Sequence, residues 1–143
     1  MISLPVFLCP YLIKPIIWVI AKKLALRHPE EKAEPVPDLA ESARLYIDAH
    51  YMEPVTVAGI AAALFVTPVY LGQVFRKAMN MTIRQYLMTV RIERTKELLE
   101  RTSLHVYEIA DRVGFAESKY LVACFQKETG LSPAAWRREK AGK

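Results

Sequence analysis

Apolar residues recur along most of the chain at spacings of three and four, and strict alternation is rare. That rhythm predicts helices and an all-α fold. Leu39, Ala43, Tyr46, Ile47 and His50 stripe a first helix, opened by Asp38 and Glu41 as a capping box. Thr56 caps a second helix carrying Val57, Ile60, Ala61 and Leu64. A tight turn at Phe65 and Val66 leads to a third, ended by Asn80, which suits a left-handed C-cap. Thr82 with Gln85 then caps a long helix running to about Arg101, with Ile83, Tyr86, Leu87, Val90, Leu98 and Leu99 as its apolar stripe. At about 1.5 Å per residue it spans roughly 27 Å. Arg84, Arg91, Arg94, Lys96 and Arg101 decorate it.

The second half repeats the first. Ile60 and Ala61 recur as Ile109 and Ala110, Tyr70 and Leu71 as Tyr120 and Leu121, Phe75 and Lys77 as Phe125 and Lys127. Asn80 corresponds to Gly130, Thr82 to Ser132 and Tyr86 to Trp136. The offset is 49 before the turn and 50 after it, so the second turn holds one extra residue. Each half reads as helix, short turn, helix with an N-cap at the second start, which is the helix-turn-helix pattern. The expected architecture is two such units joined by one long helix.

The stretch 67–77 is the most informative. Thr67 is a good N-cap, and Pro68 suits the first helical position. Tyr70, Leu71, Val74 and Phe75 fall on one face, read as core, as do Ile109, Phe115, Tyr120, Leu121 and Phe125 in the second unit. Val69, Gly72, Gln73 and Arg76 form a slim polar face of the kind that fits a DNA major groove. Glu117 reads as a helix cap, because a carboxylate beside phosphates is repelled. Successive major-groove faces on one side of B-DNA lie roughly 34–36 Å apart, and a rigid connecting helix can set two recognition helices near that distance.

The N-terminal part has a different character. Residues 2–21 are almost wholly apolar, with Lys14 the one charge, and Lys22, Lys23 and Arg27 follow. The length fits a bilayer, but Pro5, Pro10, Pro15 and Lys14 argue against a spanning helix. Ile13, Ile16, Ile17, Ile20 and Leu24 recur at helical spacing. Three readings of segment 1–27 stand: a docking or remnant helix, an inner-membrane anchor through 2–21, or a segment without fixed structure. A charged, proline-rich stretch, 28–37, reads as a linker. The domain then runs over 38–143: a first unit at 38–81, the linker helix at 82–101 and a second unit at 102–138.

Composition narrows the partners. An apolar content of 52% excludes a disordered chain, and a net charge of +5 favours a polyanion, either nucleic acid or an anionic membrane surface. Cys9 and Cys124 are too far apart for a zinc or disulfide framework, and Cys124 sits in a core pattern. His28, His50 and His105 share no metal-ligand spacing. With no phosphate loop, nucleophile elbow or paired catalytic carboxylates, neither enzyme activity nor a cofactor or metal is expected.

These features resemble the DNA-binding domain of the AraC/XylS transcriptional regulators over about 39–138. The matching motifs are Ile60-Ala61, the whole stretch 67–77, Arg91 with Leu98-Leu99, Glu108-Ile109-Ala110 and Val113-Gly114-Phe115. Tyr120-Leu121, Phe125-Gln126-Lys127, Gly130 and Ser132-Pro133 with Trp136-Arg137 complete them. The resemblance implies a seven-helix reader of double-stranded DNA, a cytoplasmic bacterial regulator, mostly an activator, that contacts RNA polymerase. Carried over by position, the base readers are Val69, Gly72 and Gln73 in the first unit and Ser118, Lys119 and Ala123 in the second. Phosphate contacts fall to Thr67, Arg76, Lys77, Lys127 and Arg91, with an inter-unit bridge to a buried carboxylate the other reading of Arg91. Ala123 stands where arginine is usual in the family, which implies weaker base readout by the second unit. Thr95 replaces a usual alanine, and His105 a usual serine cap. The competing class is a membrane-associated or protein-docking module that no longer reads sequence. The sequence leaves the oligomeric state open.

Overall fold

The computed structural model describes residues 38–143. The apolar segment 1–27 and the linker 28–37, with the three readings of the former, lie outside the described residues. The described residues form seven helices and no strand: α1 Leu39–His50, α2 Val57–Ala63, α3 Pro68–Met79, α4 Ile83–Arg101, α5 Val106–Val113, α6 Ser118–Thr129 and α7 Pro133–Ala141. The all-α architecture of two helix-turn-helix units on one long helix is the one the chain adopts. Among the described residues no single helix is long and apolar enough to cross a membrane.

Local chemistry sets the boundaries. The hydroxyls of Thr56, Thr67 and Ser132 each accept from a backbone N–H in the first turn of α2, α3 and α7. Thr82 and Gln85 close a full capping box on α4, at 3.1 and 2.8 Å. Each such cap stabilises its helix by about 1 kcal/mol. The box expected at α1 is only half made. Asp38 accepts from the N–H of Ala40, but Glu41 turns to Arg44, four-residue neighbour of Asp48, and forms an ion pair there instead. In the second unit Glu108 accepts from the backbone N–H of His105 at 2.8 Å. Glu117 occupies the cap position of α6, yet its carboxylate makes no capping bond.

Two left-handed residues close the recognition helices, Asn80 at φ 55° and Gly130 at φ 78°. The turns before those helices also need a left-handed residue. Gly114 fills it in the second unit at φ 86°, whereas Phe65 fills it in the first at φ 57° with more than half its surface exposed.

The core is doubled like the sequence. Ala43, Ile47, Ile60, Leu71 and Phe75 pack with Ile83 and Leu87 from the first half of α4. Ile109, Val113, Phe115, Leu121 and Phe125 pack with Ile92 and Leu99 from its second half. One rod therefore belongs to both cores, and Tyr51 packs against both. The ring pairs repeat as well: Phe75 meets Tyr86 edge-on at 5.8 Å, and Phe125 meets Trp136 at 5.7 Å. Removing either buried Phe costs about 3–5 kcal/mol. Thr95, fully buried on α4, donates to the carbonyl of Arg91 at 2.8 Å, so its hydroxyl is satisfied.

Candidate nucleic-acid interface

The first helix pair sets up the first head. α2 and α3 meet at 96°, the crossing that a three- or four-residue turn imposes on a helix-turn-helix. α3 sinks Leu71 and Phe75, which are fully buried, and this rolls the opposite face outward. Val69 lies on that face at 72% exposure, with Gln73 exposed four residues on and Gly72 half-exposed between them. Thr67, Arg76 and Lys77 are exposed at the two ends of the same helix. The predicted readers and phosphate contacts of this unit therefore share one open helix surface. Tyr70 differs from the expectation of a core residue: 48% of it is exposed. It stands at the edge of the Leu71–Phe75 stripe.

The second head is built likewise. α6 buries Leu121 and Phe125 and leaves Lys119, Ala123 and Lys127 exposed, with Ser118 half-exposed. Tyr120, also expected in the core, is 55% exposed and meets Phe115 edge-on at 5.7 Å.

Each recognition helix is the wall of a groove that the sequence did not announce. In the first unit Val57, Pro68, Val69, Gly72, Gln73, Arg76, Thr82, Ile83 and Arg84 line it. In the second, Val106, Ser118, Lys119, Val122, Ser132, Pro133 and Ala134 line its counterpart with His105 and Tyr107. The pairs Val57 and Val106, Val69 and Lys119, Gly72 and Val122, Thr82 and Ser132, and Arg84 and Ala134 stand at the repeat offsets. In both units the first turns of three helices converge on the groove, where the positive ends of the helix dipoles favour anions. Arg84 and Thr82 thus line the first groove, although the sequence shows Arg84 only as decoration of the linker helix. Its place two residues after the cap was the available signal. The first groove carries Arg76 and Arg84, whereas the second carries Lys119 and has Ala134 in place of Arg84.

Arg91 is a correction. Expected at a phosphate, or bridging the two units through a buried carboxylate, it is 8% exposed and turned inward onto backbone carbonyls. Its Nε donates to the carbonyl of Tyr51 and its Nη2 to that of Glu53, both at 2.9 Å. Burial pulls its pKa down from the ordinary arginine value, with the nearby Tyr120 opposing. A guanidinium forced inside needs acceptors, and two backbone carbonyls of the loop after α1 provide them. Arg137 does the same in the second unit, donating to the carbonyls of Leu99 and Leu104.

Among known proteins, a family model described as "Helix-turn-helix domain" matches residues 60–139. The chain is 37% identical over 101 residues to the HTH-type transcriptional regulator YijO of Escherichia coli, covering 71% of this chain and 36% of that protein. It is 45% identical over 69 residues to the HTH-type transcriptional activator RhaR of Cronobacter sakazakii, covering 48% of this chain and 24% of that one. The chain thus spans well under half the length of these curated relatives. In structure it is similar to the DNA-binding domain of the global transcriptional factor AdpA solved in complex with a target DNA. That likeness has TM-score 0.69 and 30% identity, covering 73% of this chain and 94% of that one.

Proposed function

The chain belongs to the AraC-type helix-turn-helix family of transcription regulators, and from that premise we propose that it reads two consecutive major-groove segments of one DNA duplex. The observation that carries this reading is the doubled exposed face, Val69–Gly72–Gln73 on α3 and Ser118–Lys119–Ala123 on α6, each beside a groove where three helix N-termini converge. Gln73 pairs bidentately with adenine, and Val69 packs on a thymine methyl. Gly72 lets the backbone of α3 approach the bases. Thr67, Arg76, Lys77 and Lys127, with Arg84 added, hold phosphates and fix the register. The Ala123 side chain has no hydrogen-bonding atom, so Ser118 and Lys119 carry the second contact. The protein acts as an activator that contacts RNA polymerase. In a bacterial cell such as those of its relatives, this work is cytoplasmic.

Selection of bound duplexes from a random pool, followed by titration at several salt concentrations, tests the reading. Specific binding should survive competitor DNA while weakening steeply with salt. Gln73→Ala should relax choice at one base pair by roughly 1–3 kcal/mol. Arg76→Ala should weaken all sequences alike and lower the logarithmic salt slope by about 0.9. Equal affinity for every duplex overturns the proposal.

A further inference from the structure

We propose that Arg91, seated between the loop after α1 and the turn before α6, is the positioning residue that fixes one reading head relative to the other. The inference rests on the two-headed DNA reading and names what sets the spacing of its heads. A long helix alone does not do this. Each unit packs on its own half of α4, so the angle between the units is held to the rod by two separate cores and to each other only by groups that touch both.

The tie is Arg91. Arg91 emerges from α4 one turn after Leu87 and two turns after Ile83, at the change-over between the two cores. Its guanidinium holds the carbonyls of Tyr51 and Glu53 in the first unit. The same guanidinium carbon lies 5.7 Å from the ring centre of Phe115 in the second unit. Gly114, next to Phe115, touches the first unit so closely that a Cβ there would lie 2.6 Å from the carbonyl oxygen of Tyr51 and 2.9 Å from that of Met52. It would also lie 3.0 Å from Nη2 of Arg91. The loop of one unit therefore rests on the turn glycine of the other, with the arginine pinned beneath both. Gly114 and Phe115 belong to the turn that launches α6, so displacing this seat re-aims the second head. Tyr51, half-buried against both cores, completes the seat.

A merely structural arginine would lower stability and leave head spacing alone, so the test reads spacing. In the full chain with Cys9→Ser and Cys124→Ser, spin labels at Ala62→Cys and Asp111→Cys mark equivalent exposed positions, one per unit. With Arg91 intact, the label-to-label distance distribution in the absence of DNA should be single and narrow. Arg91→Met, which keeps the aliphatic stem and removes the donors, should broaden it severalfold. Arg91→Lys, with one ammonium in place of the fork, should fall between. On DNA, one base pair inserted between the two selected half-sites should cost the parent chain about tenfold in affinity, because the duplex must deform to fit. Arg91→Met should reduce that penalty to about twofold, with affinity for a duplex holding only the first half-site unchanged. Circular dichroism confirms that the variants are folded, and Gly114→Ala approaches the same seat from the other side. A folded Arg91→Met with a distance distribution and a spacing penalty like those of the parent overturns the inference. If the parent selects no sequence at all, the DNA reading fails, and the label distances still decide the role of Arg91.

Discussion

Gly72 gives the sharpest test of how α3 faces its partner. It is the fifth residue of a twelve-residue helix, where glycine is about 0.8–1.0 kcal/mol less favourable than alanine. A Cβ built there meets nothing within 4 Å. Packing within the domain therefore gives no reason for a glycine. Gly72→Ala should raise stability by about 1 kcal/mol, which shifts the melting temperature upward by roughly 4–8 °C in a domain near 100 residues. If the backbone of α3 approaches the base edges at Gly72, the added methyl lies in a close-packed contact, and overpacking costs roughly 1–3 kcal/mol. Specific affinity should fall by about fivefold to 150-fold. Thermal unfolding by circular dichroism and anisotropy titration of the selected duplex measure the two effects on one sample. The opposite signs are the signature: a more stable protein that binds worse. A more stable Gly72→Ala that binds its selected site as well as the parent would show that the face carrying Val69 and Gln73 is not pressed into the groove.

Two further outcomes probe the scaffold. Phe65→Gly should stabilise the domain by up to about 1 kcal/mol, since a side chain at φ 57° costs roughly 1–2 kcal/mol and glycine returns part of that gain as backbone entropy. A lower urea midpoint would instead mean that the half-exposed ring packs usefully. Tyr86 donates to Asp48 at 3.0 Å, and burial raises its pKa above the ordinary tyrosine value, against the opposing bond from Arg44. Folding favours the neutral phenol, so its contribution is complete below about pH 10 and is lost as pH climbs through the folded-state pKa. Tyr86→Phe should lower stability at pH 7 by about 1 kcal/mol and flatten its fall above pH 10, read from denaturant curves across pH. An equally steep alkaline fall in the variant would assign that loss to other groups.

What the sequence disclosed was local. Caps at Thr56, Thr67, Thr82 and Ser132, the left-handed stops at Asn80 and Gly130 and the buried Leu71 and Phe75 all depend on residues within a turn or two. What it hid was distant. Arg91 finds its acceptors 38 and 40 residues upstream, and no periodicity separates a buried cation from a solvated one. Arg84 lines the first groove because α4 starts where α3 presents Arg76, a matter of three-dimensional convergence. Tyr70 and Tyr120 sit at stripe edges, where helical spacing alone assigns them to either side. Glu41 was drawn from its cap by Arg44, a competition between two nearby partners that the capping pattern does not weigh.

The two units share their insides and differ on their outsides. Ile60 and Ile109, Leu71 and Leu121, and Phe75 and Phe125 are the same residues in the same buried places. Across the exposed faces Val69 stands opposite Lys119, Gly72 opposite Val122, Gln73 opposite Ala123 and Arg76 opposite Gln126. Packing constrains the first set and not the second, so the second set reports on the partner. On that face α3 has an amide able to make two directed hydrogen bonds, whereas α6 has Lys119, a mobile point charge suited to phosphates or a guanine edge. Sequence information should therefore be concentrated in the half-site under α3. Ala123 is exposed, so Ala123→Gln adds to α6 the group that α3 already carries without disturbing the core. Repeating the pool selection with that variant should reveal an added adenine preference in the second half-site, worth roughly 1–3 kcal/mol, with the first half-site unaltered. If the selected sequences do not change, α6 holds its face too far from the bases for any side chain at that position to read them.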